Sequence, residues 1–162
     1  MNTDALSKSV PVLAGKDRFE ENDLMIWGLL PLSIKLSGKD TGGELLVFEH
    51  ANMGKGGPPR HVHYDQDEWF YVIKGEFAFE VGDQTFRLQP GDTLFAPRRV
   101  PHGWAHISDE PGTLLTTVSP VGAFETFILD TTRHANLPAR EEVEKAFADH
   151  GMKVVGPPLE VD

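Results

Sequence analysis

Apolar and polar residues alternate in short runs through residues 26–129. The runs are rich in β-branched and aromatic residues, which suits strands with one buried face. Clusters of Gly, Pro, Asp and Asn separate the runs at intervals of about ten residues and favour tight turns. This pattern predicts an all-β barrel or sandwich whose strands connect mostly through hairpins. The predicted strands are residues 32–36, 44–49, 60–63, 68–74, 76–81, 84–88, 93–96, 103–107, 112–118 and 123–129.

The pattern changes at residues 138–150, where the apolar positions follow a helical period. Pro138 suits a first turn and Gly151 follows as a stop signal, so we predict a helix of about three turns. We expect it to pack Val143 and Phe147 against the open side of the barrel, with a direct functional role as the alternative. The predicted division is an N-terminal extension over 1–25, a β-barrel over 26–130, and a C-terminal helix and tail packing on the barrel over 131–162.

Length and charge limit the classes of function. A chain of 162 residues is enough for one hydrophobic core and short for two domains. The net charge of -10 disfavours nucleic acid and anionic membranes as partners, because both require a basic surface. The most apolar stretch, residues 25–32, is far shorter than the roughly 20 residues that span a bilayer. We therefore expect a small-molecule partner, with no nucleic acid and no membrane.

The absence of cysteine narrows the chemistry further. It excludes disulfides, thiolate metal sites and cysteine nucleophiles, so histidine and carboxylate side chains remain as metal ligands or proton carriers. Residues 1–15 lack the continuous apolar segment of a signal peptide. We predict a cytoplasmic protein.

One cluster of ionisable residues has the spacing of a metal site. His61 and His63 are two residues apart in a predicted strand, so both imidazoles project from the same face. A turn follows, and Glu68 opens a strand that can fold back beside the first and add a carboxylate. On its own such a pair of histidines is weak evidence, because the chain has seven histidines and exposed strands also carry them.

The wider spacing strengthens the hypothesis. Glu68 stands five residues after His63, and Gly75 stands seven residues after Glu68. This arrangement resembles the first sequence motif of the cupin superfamily at every ligand position. The second cupin motif follows in order, because Gly91, Pro97 and His102 have its spacing.

Three positions depart from the cupin pattern. The glycine expected before the histidine pair is Lys55, with glycines on either side of it. In the second motif, Arg99 replaces a glycine and His106 replaces an asparagine. None of these positions supplies a metal ligand in the family.

The resemblance covers about residues 32–129 and implies a cupin fold, a double-stranded β-helix or jelly-roll barrel. It implies one divalent metal ion held by four side chains, which are His61, His63, Glu68 and His102. Three imidazoles and one carboxylate suit Fe, Mn, Ni, Co, Cu or Zn, without choosing among them. A metal that only stabilises the barrel, or a site that has lost its metal, is the alternative.

A narrower resemblance concerns the segments KLSGKDTGG, SPVGAFETF and HGMKVVGPP, which are similar to single-domain cupins related to flavonol (quercetin) 2,3-dioxygenases. It implies a metal-dependent, oxygenase-like enzyme acting on a small aromatic or enolisable substrate, with Glu68 taking up the substrate proton. The alternatives are a cupin isomerase or decarboxylase, and a sensory or binding cupin without turnover. The resemblance also implies a homodimer, for which apolar residues near Met25 and Leu29 are available to cover a sheet edge.

Other residues near the motifs have two interpretations. Trp104 and His106 alternate with His102 and could share its face, although core packing is the simpler reading. The arginines near the ligand segments could orient an anionic substrate or lie solvated at the surface: Arg60, Arg98 and Arg99. The remaining histidines match no motif and receive no role: His50, His134 and His150.

Overall fold

The computed structural model describes residues 9–21 and 23–162. It contains twelve strands and two helices among these residues. The strands are β1 (Met25–Ile26), β2 (Leu30–Pro31), β3 (Ser33–Leu36), β4 (Leu46–Met53), β5 (Pro59–His63), β6 (Asp67–Lys74), β7 (Phe77–Val81), β8 (Gln84–Leu88), β9 (Thr93–Ala96), β10 (His102–His106), β11 (Gly112–Ser119) and β12 (Met152–Pro158). The helices are α1 (Phe124–Thr131) and α2 (Arg140–Asp149).

Two five-stranded antiparallel sheets build the barrel. One has the strand order β3-β4-β11-β6-β9 and the other has the order β12-β5-β10-β7-β8. Along β4 and β11, buried and partly buried residues alternate, as expected for strands with one face toward a core. The predicted all-β jelly-roll architecture with a short C-terminal helix is confirmed.

Apolar side chains from both sheets meet in the interior. Phe70 on β6 and Phe79 on β7 are almost completely buried, and their ring centroids lie 5.0 Å apart. A second buried cluster joins the other end of the sheets to the helices, with Phe48 on β4 packed 5.7 Å from Phe124 on α1. The barrel is therefore closed at one end by sheet-to-sheet packing and lined at the other by helices.

The predicted strand over residues 123–129 is wrong, because this segment forms helix α1. Phe124, Phe127, Ile128 and Thr131 are all buried. Their spacing of three, four and seven residues is that of one helix face. The period of the apolar positions, together with the length of the run, was the signal that separates this helix from a strand.

The predicted C-terminal helix is confirmed as α2, in which Phe147 is buried and Val143 packs against the same core cluster. The residues after it form a strand that the sequence pattern did not predict. Strand β12 pairs with β5, placing Met152 opposite His63 and Val154 opposite His61. Glycine and two prolines in this strand obscured it, and they are tolerated because β12 lies at the sheet edge.

The N-terminal segment attaches to the barrel through two acidic groups. The carboxylate of Asp17 accepts a hydrogen bond from the Ile34 amide at 2.6 Å. Arg18 forms an ion pair with Asp40 at 2.8 Å. Residues 1–8 and Asn22 of the predicted extension lie outside the described residues. In the part of the chain that is described, no helix has the length and apolar character needed to cross a membrane.

We expect Gly57→Ala to destabilise the protein strongly. The loop before β5 lies against β10, where Gly56 and His106 exchange backbone hydrogen bonds of 3.0 and 2.9 Å. A Cβ atom at Gly57 would overlap the Trp104 carbonyl oxygen, and that oxygen cannot move without distorting β10. The free energy of unfolding should fall by about 2 kcal/mol or more, measured by urea denaturation.

Gly54→Ala in the same loop is the matched control, since nothing lies within 4 Å of a Cβ atom at this position. It should change the free energy of unfolding by less than about 0.5 kcal/mol. Equal stability of the two variants would show that the close approach of the loop to β10 is not a constraint on the fold.

Candidate metal centre

Three strands bring the four predicted ligands together. Strand β5 carries His61 and His63, β6 carries Glu68, and β10 carries His102 directly opposite His61. All four residues are buried, and one ligand atom from each lies within 4.8 Å of all the others. The first and last of these ligands, His61 and His102, are 41 positions apart in the sequence, yet they belong to one compact cluster.

Each histidine is oriented through the nitrogen that faces away from the cluster. His61 Nδ1 lies 2.7 Å from the Pro59 carbonyl oxygen, and His63 Nδ1 lies 3.3 Å from Gln66 Oε1. His102 Nδ1 lies 3.3 Å from the Val100 carbonyl oxygen. These oxygens only accept hydrogen bonds, so each Nδ1 donates its proton. The three Nε2 atoms are therefore available as ligands, which is how metal-binding histidines are usually held.

The inner side of the cluster requires a cation. Glu68 Oε2 lies 2.5 Å from His102 Nε2 and 3.3 Å from His63 Nε2. His63 Nε2 is buried and forms no hydrogen bond among the described residues. A carboxylate oxygen and imidazole nitrogens this close together need a proton or a metal ion between them. The donor set fits a divalent transition metal, so these four side chains could hold one.

The electrostatics of the cluster favour a bound cation. Burial alone would raise the pKa of Glu68, but His63 and His102 outweigh it and hold that pKa well below its usual range. Burial, with repulsion from His102 and His63, lowers the pKa of His61 to about 3. Burial also opposes charge on His63, yet the neighbouring Glu68 carboxylate raises its pKa. At neutral pH Glu68 is anionic, His61 is neutral, and His63 is the ligand for which protons compete.

A cavity of about 920 Å³ adjoins the cluster, and His61 and Glu68 form part of its wall. Most of the wall is apolar and comes from both sheets, both helices and the loop before β5. Aromatic side chains contribute much of this surface: Trp27, Phe48, Trp104, Phe124, Phe127 and Phe147. A concave apolar space with a few polar groups is the usual form of a small-molecule site.

The arginines and the tryptophan near the sequence motifs differ in whether they line the cavity. Arg60 pairs with Glu80 at 2.6 Å, and Arg98 pairs with Asp67 at 2.9 Å. Neither arginine lines the cavity, and Arg99 does not line it either. Trp104 does line it, although it is also part of the core.

Two histidines outside the cluster are also buried. His106 does not line the cavity, and its Nε2 atom lies 2.7 Å from Ser108 Oγ. His50 lines the cavity, and sequence analysis assigned it no role. The strand predicted over residues 44–49 stops one residue short of His50, whose spacing of two from Phe48 was the signal that could have placed it inside the barrel.

Known proteins with similar sequences or structures have the same type of barrel. Residues 47–118 match the family model described as Cupin domain. The barrel has the cupin fold. KdgF from a Halomonas species is 21% identical, with a TM-score of 0.55 over 70% of this chain and 94% of that chain. An RmlC-like cupin from Shewanella frigidimarina is 26% identical, with a TM-score of 0.52 over 68% of this chain and 93% of that one.

An uncharacterized protein of Methanocaldococcus jannaschii is 28% identical over 60 residues, which are 37% of this chain. The matched region covers 48% of that relative, so this chain spans about half the length of the curated relative it matches. Together the matches support the cupin superfamily that the two motifs indicate. The closer relation to flavonol dioxygenases remains a prediction.

Replacing a ligand should remove the metal. We expect about one divalent ion per chain in the purified protein, and much less in His61→Ala, His63→Ala and His102→Ala, because each variant loses one of four donors. Elemental mass spectrometry measures this directly. The control is His134→Ala, since His134 is exposed and is not among the clustered residues. Metal contents equal to the parent in all three ligand variants would contradict the assignment.

Metal retention should also fall in mild acid. Because Glu68 raises the pKa of His63, protons compete for His63 as the pH falls from neutral, whereas Glu68 stays ionised. Affinity should be constant above the pKa of His63 and should decline progressively below it. Competition with a chelator across about pH 8 to pH 5 measures the change. Affinity that stays constant over this range would contradict the role of His63.

Proposed function

We propose that this cupin is a metal-dependent, oxygenase-like enzyme that acts on a small aromatic or enolisable molecule. One observation carries the proposal: Glu68 belongs to the candidate metal cluster and also forms part of the cavity wall. A molecule in the cavity would therefore meet a carboxylate and a metal ligand set at the same point. A site designed only to stabilise the barrel would not need this access.

The residues of the cluster have distinct tasks in this proposal. His61, His63 and His102 would hold the ion with Glu68, and the ion would supply Lewis acidity and, for a redox-active metal, electron transfer to oxygen. The neighbouring histidines lower the pKa of Glu68, so it is ionised at neutral pH and has a free oxygen for a proton from a substrate hydroxyl or enol that the ion would make more acidic. Gln66, itself buried, holds the orientation of His63.

The apolar wall would bind and orient the substrate. Phe124 and Phe127 lie 5.8 Å apart with nearly parallel rings, and Phe48 lies 5.7 Å from Phe124. Aromatic surfaces of this kind favour flat, weakly polar molecules. They also exclude water from the carboxylate, which strengthens every electrostatic contact there.

Glu68→Gln tests the proposed role of the carboxylate. The substitution keeps the size and one oxygen donor but removes the negative charge and the basicity. With metal loading verified, oxygen consumption should fall roughly 100- to 10,000-fold relative to the parent. The assay uses an oxygen electrode with a panel of flavonols, catechols and 1,3-diketones.

Glu49→Gln is the matched control, because Glu49 lies between the buried residues Phe48 and His50 on β4 and therefore faces away from the interior, so turnover should be unchanged. Full activity in Glu68→Gln would mean that the carboxylate is only a ligand. No oxygen uptake by the parent with any compound would favour the alternatives, which are a binding or sensory cupin and a cupin isomerase or decarboxylase.

A further inference from the structure

His50 is a buried polar group in the cavity that the proposed chemistry does not use. It lies on β4 and is only 3% exposed. Its Nδ1 atom lies 2.7 Å from the Pro31 carbonyl oxygen, which can only accept a hydrogen bond. Nδ1 therefore carries the proton, and Nε2 keeps its lone pair. Within the described residues Nε2 has no hydrogen-bond partner, so this acceptor is available to a molecule in the cavity.

The neighbouring ring of Trp104 carries a hydrogen-bond donor. The ring centroids of Trp104 and His50 are 5.2 Å apart, and both residues line the cavity. The indole Nε1–H of Trp104 can only donate, and it forms no hydrogen bond to an oxygen of the described residues. Neither nitrogen is among the completely buried unpaired atoms, so both are open to the cavity, and one ligand group there can pair with both.

The position of the pair sets the size of the ligand. Trp104 follows His102 by two residues on the inner face of β10, which corresponds to roughly 6.6 Å along the strand. This is close to the length of one aromatic ring with an oxygen at each end. The cavity wall around the pair is apolar, with Phe48 and Met53 nearby on β4.

The chemistry of the pair selects one kind of ligand group. Burial lowers the pKa of His50 to about 4, so the ring is neutral at physiological pH and offers no cation to an anionic group. A carbonyl oxygen could accept from Trp104 but would leave His50 unpaired. A hydroxyl group satisfies both, because it donates to His50 Nε2 and accepts from Trp104 Nε1.

We propose that His50 and Trp104 form a hydroxyl-binding anchor in the cavity, separate from the four residues of the metal cluster. The substrate class is then a planar molecule with one oxygen group facing Glu68 and a hydroxyl about one aromatic ring away. The position of the first oxygen group rests on the proposed function. The anchor itself rests only on the two unpaired groups and their separation.

Paired probes test the anchor by isothermal titration calorimetry with the metal-loaded protein. The probes are 4-hydroxybenzoate, whose carboxylate and hydroxyl lie at opposite ends of one ring, and benzoate, which lacks the hydroxyl. The parent should bind 4-hydroxybenzoate more tightly by on the order of ten-fold, because benzoate leaves both anchor groups unpaired. A ratio near one, or no binding of either probe at millimolar concentration, would overturn the proposal.

Variants assign the preference to the two side chains. His50→Phe and Trp104→Phe should each lower the affinity ratio toward one by weakening 4-hydroxybenzoate and not benzoate. His50→Gln, which restores an acceptor oxygen, should recover part of the ratio. Unchanged benzoate affinity verifies that each variant keeps its cavity. A parent-like ratio in both phenylalanine variants would also overturn the proposal.

Thr116→Val is the matched control, because Thr116 lines the same cavity but its hydroxyl oxygen is completely buried and out of reach of a molecule there. It should leave the affinity ratio unchanged. His102→Ala separates this proposal from the proposed function. If His102→Ala binds both probes as the parent does, the metal cluster does not receive the carboxylate, and the proposed function fails. If the parent binds both probes only with metal and with an affinity ratio near one, the anchor alone is refuted.

Discussion

The buried carboxylate of Glu68 is the feature on which the rest of the structure depends. A charge in the interior of a protein is unfavourable unless opposite charge or hydrogen bonds compensate it. Here the compensation comes from His63 and His102, at 3.3 and 2.5 Å, on two strands of the opposite sheet. The same contact draws the two sheets together at the ligand end of the barrel and makes this end a place for a cation.

The elements around the cluster hold β5 in place. Strand β5 is paired with β10 on one side and with β12 on the other, so the backbone that carries His61 and His63 has neighbours on both edges. Helix α2 leads directly into β12 and places Phe147 5.4 Å from the His61 ring. Helix α2 and strand β12 therefore contact the strand and the side chain of a predicted metal ligand. Rigid support of this kind limits how far the ligands can move when a molecule enters.

The distribution of polar groups in the cavity follows from burial. Most of the wall is aromatic and aliphatic, so a bound molecule finds only a few hydrogen-bonding groups on it. The metal cluster lies at one position, and His50 with Trp104 lies at another. Both depend on a histidine whose Nδ1 donates to a backbone oxygen, as His61 does to Pro59 and His50 does to Pro31. The backbone thus decides which nitrogen of each ring is offered to the interior.

Sequence by itself determined the features that depend on local pattern. Alternating residues predicted the barrel strands, and the spacing of His61, His63 and Glu68 predicted a shared face and a nearby carboxylate. The sequence did not reveal β12, because pairing with β5 stabilises a segment whose glycine and prolines disfavour a strand. It also gave no reason to connect His50 with Trp104, 54 positions apart. Only the tertiary structure decided these points, since contacts between distant strands depend on how the sheets pack and not on any local period.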